Sequence, residues 1–185
     1  MRLFIAFDIP DAIKEVVWEL EKGLSKLTDR VRFTPKENMH LTVKFMGEQP
    51  DFALIKIKEL LSSEVNKHAC FKIRFDKAGV FKDIQHPNVL WLGEENPEFE
   101  RIAATLNKEL EIFRRPDNKP FCHLTIGRVK YIKADDLLEA IKFCRDFLKN
   151  NELSFMVDTL YLYESKLFKS GAVYRKIEKF HLKGV

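Results

Sequence analysis

A four-residue pattern that occurs twice places the strongest constraint on how this chain can fold. The sequence His-Leu-Thr-Val occupies residues 40–43, and His-Leu-Thr-Ile occupies residues 123–126. Side chains at positions i and i+2 of a β-strand lie on one face of the sheet. Each copy therefore predicts a strand that presents an imidazole and a hydroxyl together, His40 with Thr42 and His123 with Thr125, while the apolar residues point the other way.

The elements predicted around the two copies follow the same order. A helix, a proline-containing loop, the motif strand and a second helix occur in turn, first within residues 10–63 and again from residue 96 to about residue 148. The order predicts a pseudo-symmetric α+β protein, with one strand from each half lining a shared cleft. We expect one domain over residues 1–185. Finer predictions are a single strand over residues 71–77 and a capping box of Asp136 with Glu139.

Composition sets the broad class of the protein. The 185 residues carry a net charge of +4, which is compatible with a polyanionic partner without requiring one. The three cysteines form no Cys-x-x-Cys pair and are odd in number, which argues against a disulfide framework and for a reducing cytoplasm. The apolar run at residues 3–7 is too short for a signal peptide or a membrane span, so we expect no membrane partner.

The residue types of the motif suit one chemistry. Two copies among five histidines, each preceded by a loop with proline, favour function over chance. Two imidazoles beside hydroxyls provide what acid–base cleavage of a phosphodiester needs, because histidine exists in both protonation states near neutral pH. We expect no metal, since zinc needs three or four ligands and neither strand face offers a second His, a Cys or a carboxylate. Cys122 adjoins His123 and should point to the opposite face.

Basic and aromatic residues near the motifs are candidates for contacts with RNA. Lys44 shares the parity of His40 if the strand is regular, whereas Arg128 has the opposite parity to His123 and reaches the site only if the strand bends or ends at Gly127. Phe45 and Phe121 could stack on a base, although core packing is the alternative in a chain with 16 phenylalanines. A further cluster could follow an RNA backbone or form a solvated face: Lys166, Lys169, Arg175 and Lys176.

With these motifs, the chain resembles the 2H phosphoesterases, and within them the RNA 2′,3′-cyclic phosphodiesterases, also called 2′–5′ RNA ligases. The resemblance rests on residues 2–6, 35–47, 89–93, 123–130 and 171–174. It implies a two-lobed α+β fold with antiparallel sheets flanked by helices, a central cleft, and neither metal nor cofactor. It also implies that Arg128 binds phosphate. Residues 168–170 depart from the family, whose members tend to be rich in glycine there.

The resemblance implies a function as well. The expected reaction is hydrolysis of RNA 2′,3′-cyclic phosphate ends to 2′-phosphates, with His123 as general base, His40 as general acid, and Thr42, Thr125 and Arg128 holding the phosphate oxygens. The reverse-type reaction would give 2′–5′ ligation. We expect a monomer that acts on RNA ends, tRNA fragments among them. The alternatives are a nucleotide- or RNA-binding module of the same fold and a phosphodiesterase for a small cyclic nucleotide.

Overall fold

The computed structural model describes residues 1–115 and 119–184 and contains four α-helices and ten strands within them. A short 3-10 helix also covers Lys36–Asn38. The helices are α1 (Asp11–Leu27), α2 (Ala53–Val65), α3 (Pro97–Glu109) and α4 (Ala134–Asn150). The strands are β1 (Arg2–Asp8), β2 (Val31–Phe33), β3 (His40–Glu48), β4 (Phe71–Arg74), β5 (Lys77–Phe81), β6 (Val89–Glu94), β7 (Cys122–Val129), β8 (Ser154–Val157), β9 (Thr159–Phe168) and β10 (Gly171–His181).

The two motif strands lie side by side in the main sheet. Its order is β10-β9-β1-β3-β7-β6-β5, with β2 also paired to β7, and the small second sheet pairs β4 with β8. Every pairing between these strands is antiparallel. The strands β3 and β7 pair at Leu41 and Leu124, the second residues of the two motifs. The predicted α+β class with antiparallel sheets is confirmed.

The sheet has one face against the helices and one open face. In β1, Leu3, Ile5 and Phe7 are buried in the main core, while Phe4 and Ala6 belong to a separate cluster on the other face. All four helices contribute to the main core, for example through Leu20, Ile57, Ile102 and Ile141. This alternation is what the period of two in a half-buried strand produces. It leaves the second face of the sheet available for the histidines and threonines.

The contacts between elements repeat about the β3–β7 junction. Strand β1 pairs with β3 as β6 pairs with β7, and α1 contacts α4 as α2 contacts α3. Strand β4 pairs with its counterpart β8. The additional strands differ, because β9 and β10 extend one edge of the sheet and β5 the other. The pseudo-symmetry predicted from the repeated order is therefore present in the strand and helix contacts.

Two finer predictions were wrong. The strand predicted over residues 71–77 is two strands in different sheets, because the chain changes partners at Phe75 and Asp76, whose N–H groups donate to Leu153 and Gly93. The capping box is absent, since α4 starts three residues before the position that this prediction required. Of the proline-containing loop predicted before the second motif strand, residues 116–118 lie outside the described part. Within the described residues, no helix is long and apolar enough to cross a membrane.

Candidate active site

Each motif strand contains a β-bulge at the same position. The extra residue is Val43 in β3 and Ile126 in β7, the fourth residue of each motif. In both strands, the residues on either side of the extra one pair with consecutive residues of the neighbouring strand. One additional residue reverses the face on which the following side chains lie. The side chains after each motif therefore do not follow the simple alternation that the sequence suggests.

The bulge in β7 brings Arg128 to the open face. The strand continues to Val129, so it does not end at Gly127, and the other stated condition, a bend, is met by the extra residue Ile126. Arg128 is exposed and lines a cavity that Phe4 and Tyr174 also line. The corresponding position in β3 is Phe45, which is also exposed and lines the same cavity. Equivalent positions in the two halves thus carry a guanidinium and a phenyl ring.

The bulge in β3 also corrects the prediction for Lys44. Its side chain turns into the protein and is only 4% exposed. The Nζ atom donates to Asn107 Oδ1 at 2.9 Å and to the carbonyl oxygen of Arg114 at 2.8 Å. Lys44 is therefore not placed to contact RNA, and it links the first motif strand to the end of α3 and to the segment that leads into the second motif strand.

Both histidines make the same hydrogen bond. His40 Nδ1 lies 2.6 Å from the carbonyl oxygen of Asn38, and His123 Nδ1 lies 2.8 Å from that of Phe121. A carbonyl oxygen can only accept, so Nδ1 must carry the hydrogen in each ring. This fixes the tautomer: the neutral imidazole keeps its lone pair on Nε2, and a protonated one would donate from Nε2. Each backbone thus orients its own histidine from two residues upstream.

Burial determines the protonation of the two rings. It lowers the pKa of His40 to about 4, and the nearby His123 contributes to the same direction. Burial also lowers the pKa of His123, against the effect of its hydrogen bond to Phe121. Removal of water disfavours the charged form of a base. Both imidazoles are therefore neutral at pH 7 in the unliganded protein.

The register of β3 against β7 brings the four motif residues together. With Leu41 opposite Leu124, the antiparallel ladder sets His40 across from Thr125 and Thr42 across from His123. Directly opposed side chains on one face of a sheet lie about 5 Å apart at Cβ. Each imidazole thus has a hydroxyl of its own strand and one of the partner strand nearby.

The surroundings of the two rings are aromatic, but they come from different elements. The ring of His40 lies 4.9 Å from that of Phe4 and 5.3 Å, edge-on, from that of Tyr174. The ring of His123 lies 4.7 Å, edge-on, from that of Phe81, and it stacks at 6.0 Å on the half-buried ring of Phe121.

Three of these aromatic neighbours are not among the site residues predicted from the sequence: Phe4, Phe81 and Tyr174. Phe4 and Tyr174 lie inside the resembling segments 2–6 and 171–174, which were the available signal. No pattern in the sequence marked Phe81, whose position depends on the pairing of β5 with β6.

A cavity of about 600 Å³ is lined by the two aromatic neighbours of His40, Phe4 and Tyr174. Four arginines line it, together with aromatic residues of β1, β3 and β10: Arg2, Arg32, Arg114, Arg128, Phe4, Phe45 and Tyr174. None of these arginines except Arg128 was predicted as a site residue. The basic cluster predicted near the C-terminus is largely engaged elsewhere, since Arg175 and Lys166 pair with Glu164, and Lys176 pairs with Asp8.

Metal-ligating and thiol side chains do not gather around the motifs. Among residues 1–115 and 119–184, no three His, Cys, Asp or Glu side chains are arranged to hold a metal ion. Cys122 is completely buried on the helix side of β7, and burial raises the pKa of its thiol. It is therefore a protonated core residue and not a nucleophile paired with His123.

The sequence matches a known family twice. The family described as LigT like Phosphoesterase matches residues 7–91 and again residues 92–174, so each match contains one motif strand. The chain belongs to this family. The two matched segments also correspond to the two halves that the strand pairing relates about the β3–β7 junction.

Relatives of similar length support the assignment. The protein of Methanothermobacter thermautotrophicus named RNA 2′,3′-cyclic phosphodiesterase is 32% identical over 186 residues, covering 98% of this chain and 99% of the relative. A Thermotoga maritima protein of the same name is 31% identical over 188 residues, covering 100% of this chain and 97% of its own.

Solved structures show the same fold. A crystal structure of a Thermus thermophilus protein gives a TM-score of 0.81 at 24% identity, covering 100% of this chain and 99% of its own. E. coli LigT complexed with 3′-AMP gives 0.74 at 21% identity, covering 98% of this chain and 97% of its own.

Proposed function

We propose that this phosphoesterase hydrolyses RNA 2′,3′-cyclic phosphate ends to 2′-phosphate ends without a metal ion. The observation that carries the proposal is the pair of imidazoles on one sheet face, each with Nδ1 bonded to a backbone carbonyl and Nε2 left for proton transfer. The names of the relatives point to the same reaction. We expect the protein to act as a monomer in the cytoplasm, with tRNA fragments among its substrates.

The two histidines would act on opposite sides of the phosphorus atom. His123 takes a proton from the attacking water, and His40 gives a proton to the leaving O3′, so that the phosphate remains on O2′. Thr42 and Thr125 hold the non-bridging oxygens, and Arg128 balances the negative charge that develops on them. The diagonal register supports this division, because each hydroxyl lies next to both imidazoles while the imidazoles themselves are on different strands.

The general acid must be protonated before it can act. Burial keeps the pKa of His40 near 4 in the free protein, so the negative charge of the bound phosphate has to raise it. We therefore expect bell-shaped pH profiles in which the alkaline limb of kcat lies at higher pH than that of kcat/KM, because kcat reports the complex and kcat/KM the free protein. Coincident alkaline limbs would contradict this role for the bound phosphate.

Ligation would use the same site with a different nucleophile. A 5′-hydroxyl end in place of water, attacking the cyclic phosphate, gives a 2′–5′ linkage. Water is present in large excess, so hydrolysis dominates unless the second RNA end is held in position. The aromatic wall at His123, formed by Phe81 and Phe121, is where such an end would lie.

The deciding experiment uses the purified protein, EDTA and a short RNA that ends in a 2′,3′-cyclic phosphate. The gain of one water in mass shows hydrolysis, and comparison with synthetic 2′-phosphate and 3′-phosphate ends by phosphorus NMR identifies the isomer. A 2′-phosphate end establishes the reaction, the leaving group and the independence from metal together. A 3′-phosphate end would mean that O2′, and not O3′, is the leaving oxygen. Activity that appears only after a divalent cation is added would contradict the metal-free mechanism, and an untouched substrate would contradict the proposed function.

A further inference from the structure

The arginine-lined cavity lies on one side of the motif pair. Phe4 and Tyr174, which contact the ring of His40, both line it. Phe81 and Phe121, which contact the ring of His123, do not. The arginine-lined cavity therefore lies on the side of the first histidine.

Two of the arginines that line this cavity carry like charges at directly paired positions of neighbouring strands. Arg32 and Arg128 are directly opposite each other on β2 and β7. Among the described residues, no carboxylate lies within 4 Å of the guanidinium of Arg2, Arg32 or Arg128. Glu48, which faces Arg2 in the strand register, pairs with the terminal amino group. Like charges opposite each other destabilise a sheet, so this arrangement favours a bound anion.

The cavity is larger than the reacting phosphate requires. Its volume of about 600 Å³ lies within the range of pockets that hold whole small ligands. Exposed aromatic surface at Phe45 lines the same cavity as the cationic side chains of Arg2 and Arg32. Aromatic faces beside guanidinium groups suit a base and a phosphate, as in proteins that bind single-stranded nucleic acid.

The direction of the reaction places the RNA strand in this cavity. In an in-line displacement the nucleophile and the leaving oxygen lie on opposite sides of phosphorus. With His123 activating water and His40 protonating O3′, the terminal ribose lies on the His40 side. The nucleotides that precede it in the strand then extend into the space beside His40, where the arginines are.

We propose that the cavity is a subsite for the phosphodiester that joins the terminal nucleotide to the preceding one, with Arg32 and Arg2 as its ligands. The proposal rests on the proposed function for its orientation of the strand. It makes an oligonucleotide, and not a cyclic mononucleotide, the preferred substrate class. Arg128 holds the reacting phosphate, and Arg32, across from it, holds the next one.

The test measures binding and turnover separately. Affinities for 2′-AMP and for a tetranucleotide ending in a 2′-phosphate are compared in the unmodified protein, in Arg32→Gln and in Arg101→Gln. The last variant removes the same charge from an exposed position outside this cavity. Thermal unfolding of each variant checks the fold, and turnover of a cyclic mononucleotide independently tests the proposed function.

We expect the unmodified protein to bind the tetranucleotide at least about tenfold more tightly than 2′-AMP. Arg32→Gln should reduce this preference by about tenfold and lower the salt dependence of tetranucleotide binding by about 0.7 in log–log slope. Arg101→Gln should change neither quantity. Equal affinity for the two ligands, or equal losses for both in Arg32→Gln, would overturn the subsite even where the mononucleotide is hydrolysed. A clear preference that depends on Arg32 would support it even where hydrolysis fails.

Discussion

The two halves of this protein carry the same motif residues but differ in the residues that surround each histidine. Each half supplies a His-x-Thr strand, a backbone carbonyl bonded to Nδ1 and a bulge at the fourth motif residue. After the bulge, one half presents Arg128 and the other Phe45. Around the first histidine there is an arginine-lined cavity, and around the second there is packed aromatic surface. Proton transfer on the two sides of the phosphorus atom uses the same residue types from both halves. An RNA strand has a 5′ and a 3′ direction, so the surfaces that recognise it must differ between the halves.

The shared part should show the largest effect. His40→Ala and His123→Ala should each lower kcat/KM for a cyclic-phosphate RNA by about two to four decades, because each removes one proton-transfer step. His86→Ala is the matched control, since that side chain is exposed and outside the motifs, and it should retain full activity. Undiminished turnover in either motif variant would remove the two-histidine mechanism.

The first difference between the halves concerns Arg128. Arg128→Gln should lower kcat/KM by about a hundredfold, because the charge that develops on phosphate oxygens loses its cation. Arg101→Gln controls for the change in net charge. Adding Phe45→Arg to the Arg128→Gln variant should not restore activity, because residue 45 lies on β3 and residue 128 on β7. If it does restore activity, the two positions are interchangeable and the asymmetry of the walls has no functional meaning.

The second difference concerns Phe45. Phe45→Leu should weaken binding of a short RNA about tenfold through loss of base stacking, with a smaller effect on kcat. Phe52→Leu is a suitable control, because Phe52 is more exposed and is not part of the cavity lining. Titration of a labelled tetranucleotide gives both affinities. Equal affinities of the Phe45→Leu and Phe52→Leu variants would mean that Phe45 does not contact the RNA.

The smallest expected effect is on stability. The pKa of His40 is about 4 in the folded protein and about 6.5 when unfolded, so between these values the unfolded chain binds a proton that the folded one does not. The free energy of unfolding should therefore fall as pH decreases through this window, and it should fall less steeply in His40→Gln. Denaturant unfolding above pH 6.5 and within the window measures it. Parallel slopes would mean that His40 is not buried in its neutral form.

The sequence alone predicted the motif strands and their shared face, because a period of two is a local property. It also predicted the helix start at Asn96, whose Oδ1 accepts from the N–H of Phe99. It did not predict the bulges, which depend on register against β1 and β6 and therefore on contacts distant in the chain. For the same reason the sequence placed Lys44 on the wrong face, and it left the position of Arg128 conditional on a bend or an end of the strand.

The arginine cavity was beyond prediction from the sequence alone. Arg2, Arg32 and Arg128 are separated by 30 residues or more along the chain. They line one cavity only because β2 pairs with β7 and because β1 lies next to β3 in the sheet. No spacing rule links residues that the sheet order alone brings together.

Asn38 links the first histidine to the hairpin that forms one wall of the cavity. Its carbonyl oxygen holds the ring of His40, while its side-chain amide donates to the carbonyl oxygen of Ala172 at 2.9 Å, on the hairpin of β9 and β10 that walls the cavity. Phe121, the corresponding residue in the second half, has an apolar side chain. A displacement of this hairpin as the RNA strand enters or leaves would therefore change the orientation of His40, the proposed general acid. The orientation of His123, the proposed general base, would not change.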